Sequence, residues 1–155
     1  MILKRLRLLL TLALALFVSS PTFASEPNLE GLWFEADNFP ASSVVRFERF
    51  GAGWIGRYVK VSPQQKGFGF AVGEAVIRGL LKENQFKGEV LLKVSEQQFV
   101  CPGLTAGWVP IQMEFVGSDK LNGRWLQTVV DYRIGCDAPI KKSWQPYRLE
   151  KLTTQ

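Results

Sequence analysis

From residue 25 onward, apolar and polar positions alternate in short runs, and no long stretch holds a period of 3.6. Alternation by two marks strands with one buried face, because successive side chains leave a strand on opposite sides. The clearest run is 86–94. There Phe86, Val90, Leu92 and Val94 share a face with Gly88, opposite Lys87, Glu89 and Lys93. Over 108–116, Val109, Ile111, Met113 and Phe115 stand opposite Gln112 and Glu114. Near the end, Tyr147 and Leu149 alternate with Arg148 and Glu150.

Turn residues separate these runs at short intervals. Gly51-Ala52-Gly53, Lys82-Glu83-Asn84-Gln85 and Gly117-Ser118-Asp119-Lys120 each lie between two runs and read as hairpins. Ser62 to Gly69 is the longest polar, Gly/Pro-marked stretch and reads as a flexible loop. Residues 73–81 fit a helical turn or a strand, and Val76-Ile77 with Gly79 favours the strand. The count is about eight to ten strands, mostly joined as neighbours. Such a chain is all-β. A single antiparallel up-and-down barrel is expected, because closure removes the sheet edges. A two-sheet β-sandwich is the alternative. Three segments repeat the form apolar-x-Gly-x-apolar: 29–33, 86–90 and 121–125. A Gly in a strand admits a sharp kink or lets a large ring lie over bare backbone, so a shared structural role is expected for Gly31, Gly88 and Gly123.

Residues 1–24 follow a different pattern. Lys4, Arg5 and Arg7 precede an apolar run, Leu8 to Val18, broken only by Thr11, and then Ser19 to Ala24. This is the layout of a secretory signal peptide with cleavage after Ala24. The run is well short of the roughly 20 residues that span a membrane. The expectation is a cleaved signal (1–24), one domain (25–155), a periplasmic or secreted location, and no stable membrane insertion after cleavage. The net charge of +5 falls to +2 once those three basic residues are discounted, which disfavours a nucleic-acid partner. The two cysteines, Cys101 and Cys136, suit one structural disulfide in an oxidising compartment. The chain has no His, which excludes Ser-His-Asp and Cys-His catalysis and His-ligated metals. No metal or cofactor is expected.

Gly31-Leu32-Trp33 opens the domain, and Arg148 lies on the last run. A Gly-x-Trp on a first strand, with a basic residue on the last strand over the indole, resembles the calycin group of lipocalins and fatty-acid-binding proteins. Asp131-Tyr132-Arg133 is faintly similar to a second lipocalin motif. The chain is short for a lipocalin and shows no helix beside its last strand. The resemblance implies structural roles for Gly31, Trp33 and Arg148, with a cation–π contact over Trp33. It also implies a small apolar or amphipathic ligand inside the barrel.

Aromatic candidates for lining such an interior are Trp54, Tyr58, Trp108, Trp125 and Tyr132. Phe68 and Phe70, set between glycines, are candidates for a lid. Glu74 and Arg78, four apart on one strand face, are candidates for an inward ion pair that meets a polar head. The other acids, Glu35, Asp37, Glu89, Glu114 and Asp131, show no pairing in their spacing, and no Gly-rich phosphate loop occurs. The expected function is non-enzymatic ligand binding. The alternative is an envelope protein partner, such as a lytic or proteolytic enzyme inhibited through the loops at 102–107 and 137–142.

Overall fold

The structure, a computed structural model, describes residues 27–38, 41–93, 106–129 and 141–153. The segment 1–24, Cys101, Cys136 and Tyr132 lie outside the described residues, as do most of the two loops expected to be tied by the cysteines. Eight strands form one closed barrel in chain order. They are β1 (Gly31–Glu35), β2 (Val44–Phe50), β3 (Gly53–Lys60), β4 (Ala75–Lys82), β5 (Gln85–Lys93), β6 (Ala106–Val116), β7 (Lys120–Val129) and β8 (Lys141–Lys151). Every neighbouring pair is antiparallel, and β8 returns to β1 through Trp33 opposite Lys151 and Glu35 opposite Leu149. The up-and-down barrel is therefore the fold, with eight strands, and the sandwich is not. Residues 75–82 are strand, as the β-branched pair suggested.

This topology gives the barrel two unlike ends. The three predicted hairpins join β2–β3, β4–β5 and β6–β7 at one end, and the longer connections gather at the other. In the tight β4–β5 turn, Glu83 takes a φ of 56°. The Asn84 carboxamide donates to Glu114 at 2.8 Å, tying that turn to β6.

The core fills the hairpin half. Trp33, Phe47, Ile77, Phe86, Ile111, Leu121 and Leu149 are all at most 1 % exposed. Trp33 meets Phe47 and Phe115 edge-on at 6.4 and 5.9 Å, and Phe47 meets Phe86 at 6.1 Å. Edge-to-face packing sets the positive rim of one ring against the negative face of the next. The repeated glycines earn their place by close crossing. A Cβ on Gly88 would stand 2.0 Å from the Arg78 carbonyl oxygen, and one on Gly123 would stand 2.1 Å from that of Gln112. Gly31 differs from these two. Its φ is +123°, a conformation that disfavours side chains, and the Lys151 chain lies against it.

At the loop end, the 62–69 stretch contains a helical turn, α1 (Pro63–Gly67), where a flexible loop was expected. The Ser62 hydroxyl accepts from the Gln65 N–H at 3.2 Å, and Pro63 takes the first helical position. Ser-Pro is a helix-entry signal because the hydroxyl satisfies a free N–H and the ring presets φ. After this turn the chain brings Phe70 down onto Tyr58, edge-on at 5.5 Å. Lys93 fastens the segment. Its ammonium lies 2.5 Å from Glu74, donates to the Gly69 carbonyl at 3.0 Å, and sits 4.9 Å from the Phe70 ring centre.

Candidate functional site

Strand alternation places Glu35 on the same inward face as Trp33. One turn of the β1–β8 ladder away, Tyr147 shares the inward face of Leu149. The Tyr147 hydroxyl donates to Glu35 Oε1 at 3.2 Å. Tyr58 reaches the same region from β3. Its phenol and the Ser43 hydroxyl share a hydrogen bond. Ser43 is fully buried and accepts from the Ser62 N–H at 2.9 Å, while the Ser42 hydroxyl donates to the Glu35 carbonyl at 2.6 Å. The Ser42 bond fastens the Glu35 backbone, and the Ser43 bond ties the start of β2 to the end of β3 beside it.

Three titratable groups in a largely apolar interior shift one another. Burial pushes the Glu35 carboxyl above its usual range. The Tyr147 hydrogen bond opposes this, and the nearby Asp37 charge reinforces it. Burial likewise raises the Tyr58 and Tyr147 phenols, and the Glu35 charge adds to both. Each shift has the same first cause: charge is disfavoured where water is scarce.

Around this polar group the inward side chains are only partly buried. Leu92 on β5, Val109 on β6, Trp125 and Gln127 on β7, and Gln145 and Tyr147 on β8 all keep some exposure. They occupy the faces that, lower down, carry the fully buried Phe86, Ile111, Leu121 and Leu149. The arrangement offers one carboxyl, two phenols and two amides at the edge of an apolar wall. Its chemistry is hydrogen bonding and charge compensation. Among the described residues, no three acidic, His or Cys side chains gather as a metal site.

Of the expected lining residues, Tyr58 and Trp125 take inward positions in this half, and of the two lid candidates Phe70 packs edge-on against Tyr58 while Phe68 is partly buried against the core. Others do not. Trp54 sits in the hairpin half, 3 % exposed, beneath the Arg49 guanidinium at 4.2 Å, and its buried indole N–H has no hydrogen-bond partner. Trp108 lies on the outer wall, as its position beside Val109 requires. The Arg78 guanidinium covers it at 4.3 Å. Arg78 is exposed and pairs with Glu89 on β5 at 2.6 Å. The expected inward Glu74–Arg78 pair therefore does not form. Glu74 precedes β4 and is taken by Lys93, while Arg78 is held outside by its cross-strand acid. The Lys93 ammonium and the Ala71 N–H hold the Glu74 carboxyl low, against an opposing desolvation.

The cation over Trp33 is also not Arg148. Alternation turns Arg148 outward, where Asp37 binds it, and Lys151 places its ammonium 5.5 Å from the Trp33 ring centre. Trp33 itself donates to the Leu29 carbonyl at 2.7 Å. The residues missed were Tyr147 and the inward role of Glu35. The usable signal was Trp33-x-Glu35 and Tyr147-x-Leu149, each a polar group two residues from an apolar inward one.

The barrel is compatible with a calycin-like architecture. In comparisons with protein-family models, curated proteins and solved structures, no match was found.

Proposed function

We propose that this chain is exported, is not an enzyme, and holds a small amphipathic molecule in the loop-end half of its barrel. The observation that supports the reading is the contrast along one inward face. Side chains at the hairpin end are sealed, and those of the same strands at the loop end stay partly exposed. Eight-stranded barrels are at the size where the interior either fills with side chains or holds one small ligand. Here one half does the first and leaves the other half for the second. Leu92, Val109 and Trp125 form the apolar wall, Phe70 covers one side, and Glu35, Tyr58 and Tyr147 supply the polar contacts.

Native mass spectrometry of the protein, purified gently from its own source, tests this. A discrete added mass that disappears on organic extraction is expected. A bare mature mass would overturn the reading. The search would then turn to a protein partner at the loops around 102–107 and 137–142.

A further inference from the structure

The polar lining of the loop-end interior has a sign. Among the described residues, the ionisable groups on its inward faces are the Glu35 carboxyl and the Tyr58 and Tyr147 phenols. The basic side chains of that end are directed elsewhere. Lys93 is committed to Glu74, Arg57 to Glu48 at 3.2 Å, and Arg148 to Asp37. Lys60 and Lys141 are exposed at the rim. Lys141 lies six residues along β8 from Tyr147, roughly 20 Å at strand spacing. An anionic head placed among these groups would face a carboxyl and, among the described residues, no inward cation.

The hydrogen-bond inventory points the same way. Tyr147 spends its single O–H on Glu35 Oε1. Its phenol oxygen and the second carboxyl oxygen of Glu35 then remain as acceptors. Around Glu35 the site therefore presents acceptors and negative charge, and the donors beside it, the Gln127 and Gln145 amides and the Trp125 indole, are neutral.

We propose that the ligand's head is a hydrogen-bond donor, an ammonium in preference to a hydroxyl, and that carboxylate and phosphate heads are rejected at Glu35. This inference rests on the binding reading above. An ammonium brought in on an apolar tail would supply the cation that the buried carboxyl lacks. A paired carboxylate in a partly dry site gains far more from such a partner than an exposed one does.

The test is isothermal titration calorimetry of the purified protein with dodecylammonium and dodecanoate below their micelle concentrations and dodecanol below its solubility limit. Hydrogen bonds to charged groups contribute enough that dodecylammonium should bind at least about tenfold more tightly than dodecanoate. In Glu35→Gln that preference should fall to about twofold or less, while an unchanged near-ultraviolet circular dichroism spectrum reports an intact barrel. Dodecanoate binding as tightly as dodecylammonium would overturn the head-group inference and leave the binding reading standing. The same preference surviving in Glu35→Gln would overturn the role of Glu35. Failure of all three to bind would overturn the inference, and the native mass would show whether the binding reading falls with it.

Discussion

The two halves of this barrel are made from the same eight strands and behave as different materials. In the hairpin half, rings from β1, β2, β5 and β6 lock edge to face, and glycines let backbones cross where no Cβ fits. In the loop half, the same inward faces carry an acid, two phenols, amides and a partly exposed indole. Core packing at interior density rewards every buried methylene, whereas a polar group in an apolar setting is stable only when matched. The molecule thus separates a sealed half from one whose inward side chains stay partly exposed. The change runs along a single strand direction, readable from Leu149 to Tyr147 within three residues.

The largest expected effect comes from removing a ring in each half. Phe86→Ala should cost about 3–5 kcal/mol, the usual range for a buried aromatic, as read by urea unfolding. Trp125→Ala should cost less than about 2 kcal/mol, because its site is already partly wet. Equal losses would erase the comparison.

A second substitution probes the close crossing. Gly88→Ala places a methyl 2.0 Å from a carbonyl oxygen that cannot turn aside. Overpacking of this kind costs about 1–3 kcal/mol, and the thermal midpoint should fall accordingly. An unchanged midpoint would mean that β4 and β5 separate freely there.

The smallest effect concerns pH, and it has two signs. The folded chain holds the Glu35 proton more tightly than the unfolded chain, since burial raises that carboxyl from 4.5. Its contribution is present below that pH and is lost as pH rises through the folded value. Glu35→Gln should flatten this decline and stabilise the protein at pH 7 by about 1 kcal/mol. Glu74 works in reverse, because its carboxyl is lowered from 4.5. The contribution of the Lys93–Glu74 pair is present above that pH and is lost as pH falls through the lower folded value. Stability of Glu74→Gln should therefore converge with that of the unaltered protein in acid. Divergence in acid would place the Lys93 anchor elsewhere.

The fold was legible because strand alternation and turn chemistry are local signals. Phe86-x-Gly88-x-Val90 and Glu83-Asn84 each carry their own instructions. The site was legible only in part. Tyr58 and Trp125 take the inward positions expected of them as aromatics, but Trp54 and Trp108 are equally aromatic and go to the other half and the outer wall. What separates them is register around a closed barrel, which joins residues more than a hundred positions apart, as with Glu35 and Tyr147. Ion pairing failed as a guide for a related reason. Spacing along one strand suggested Glu74 with Arg78, whereas cross-strand neighbours chose Lys93 and Glu89. The exchange of Arg148 for Lys151 over Trp33 followed from alternation already visible in Tyr147 and Leu149.

The most direct test of the division between the halves uses the five tryptophans as reporters. Fluorine NMR of 5-fluorotryptophan-labelled protein, titrated with dodecylammonium, resolves them one by one. The Trp125 resonance should move, while Trp33 and Trp54 in the packed half and Trp108 and Trp144 on the outer wall stay still. A shift confined to Trp108 or Trp144, or a saturating titration that leaves Trp125 unmoved, would contradict a binding site in the loop-end interior.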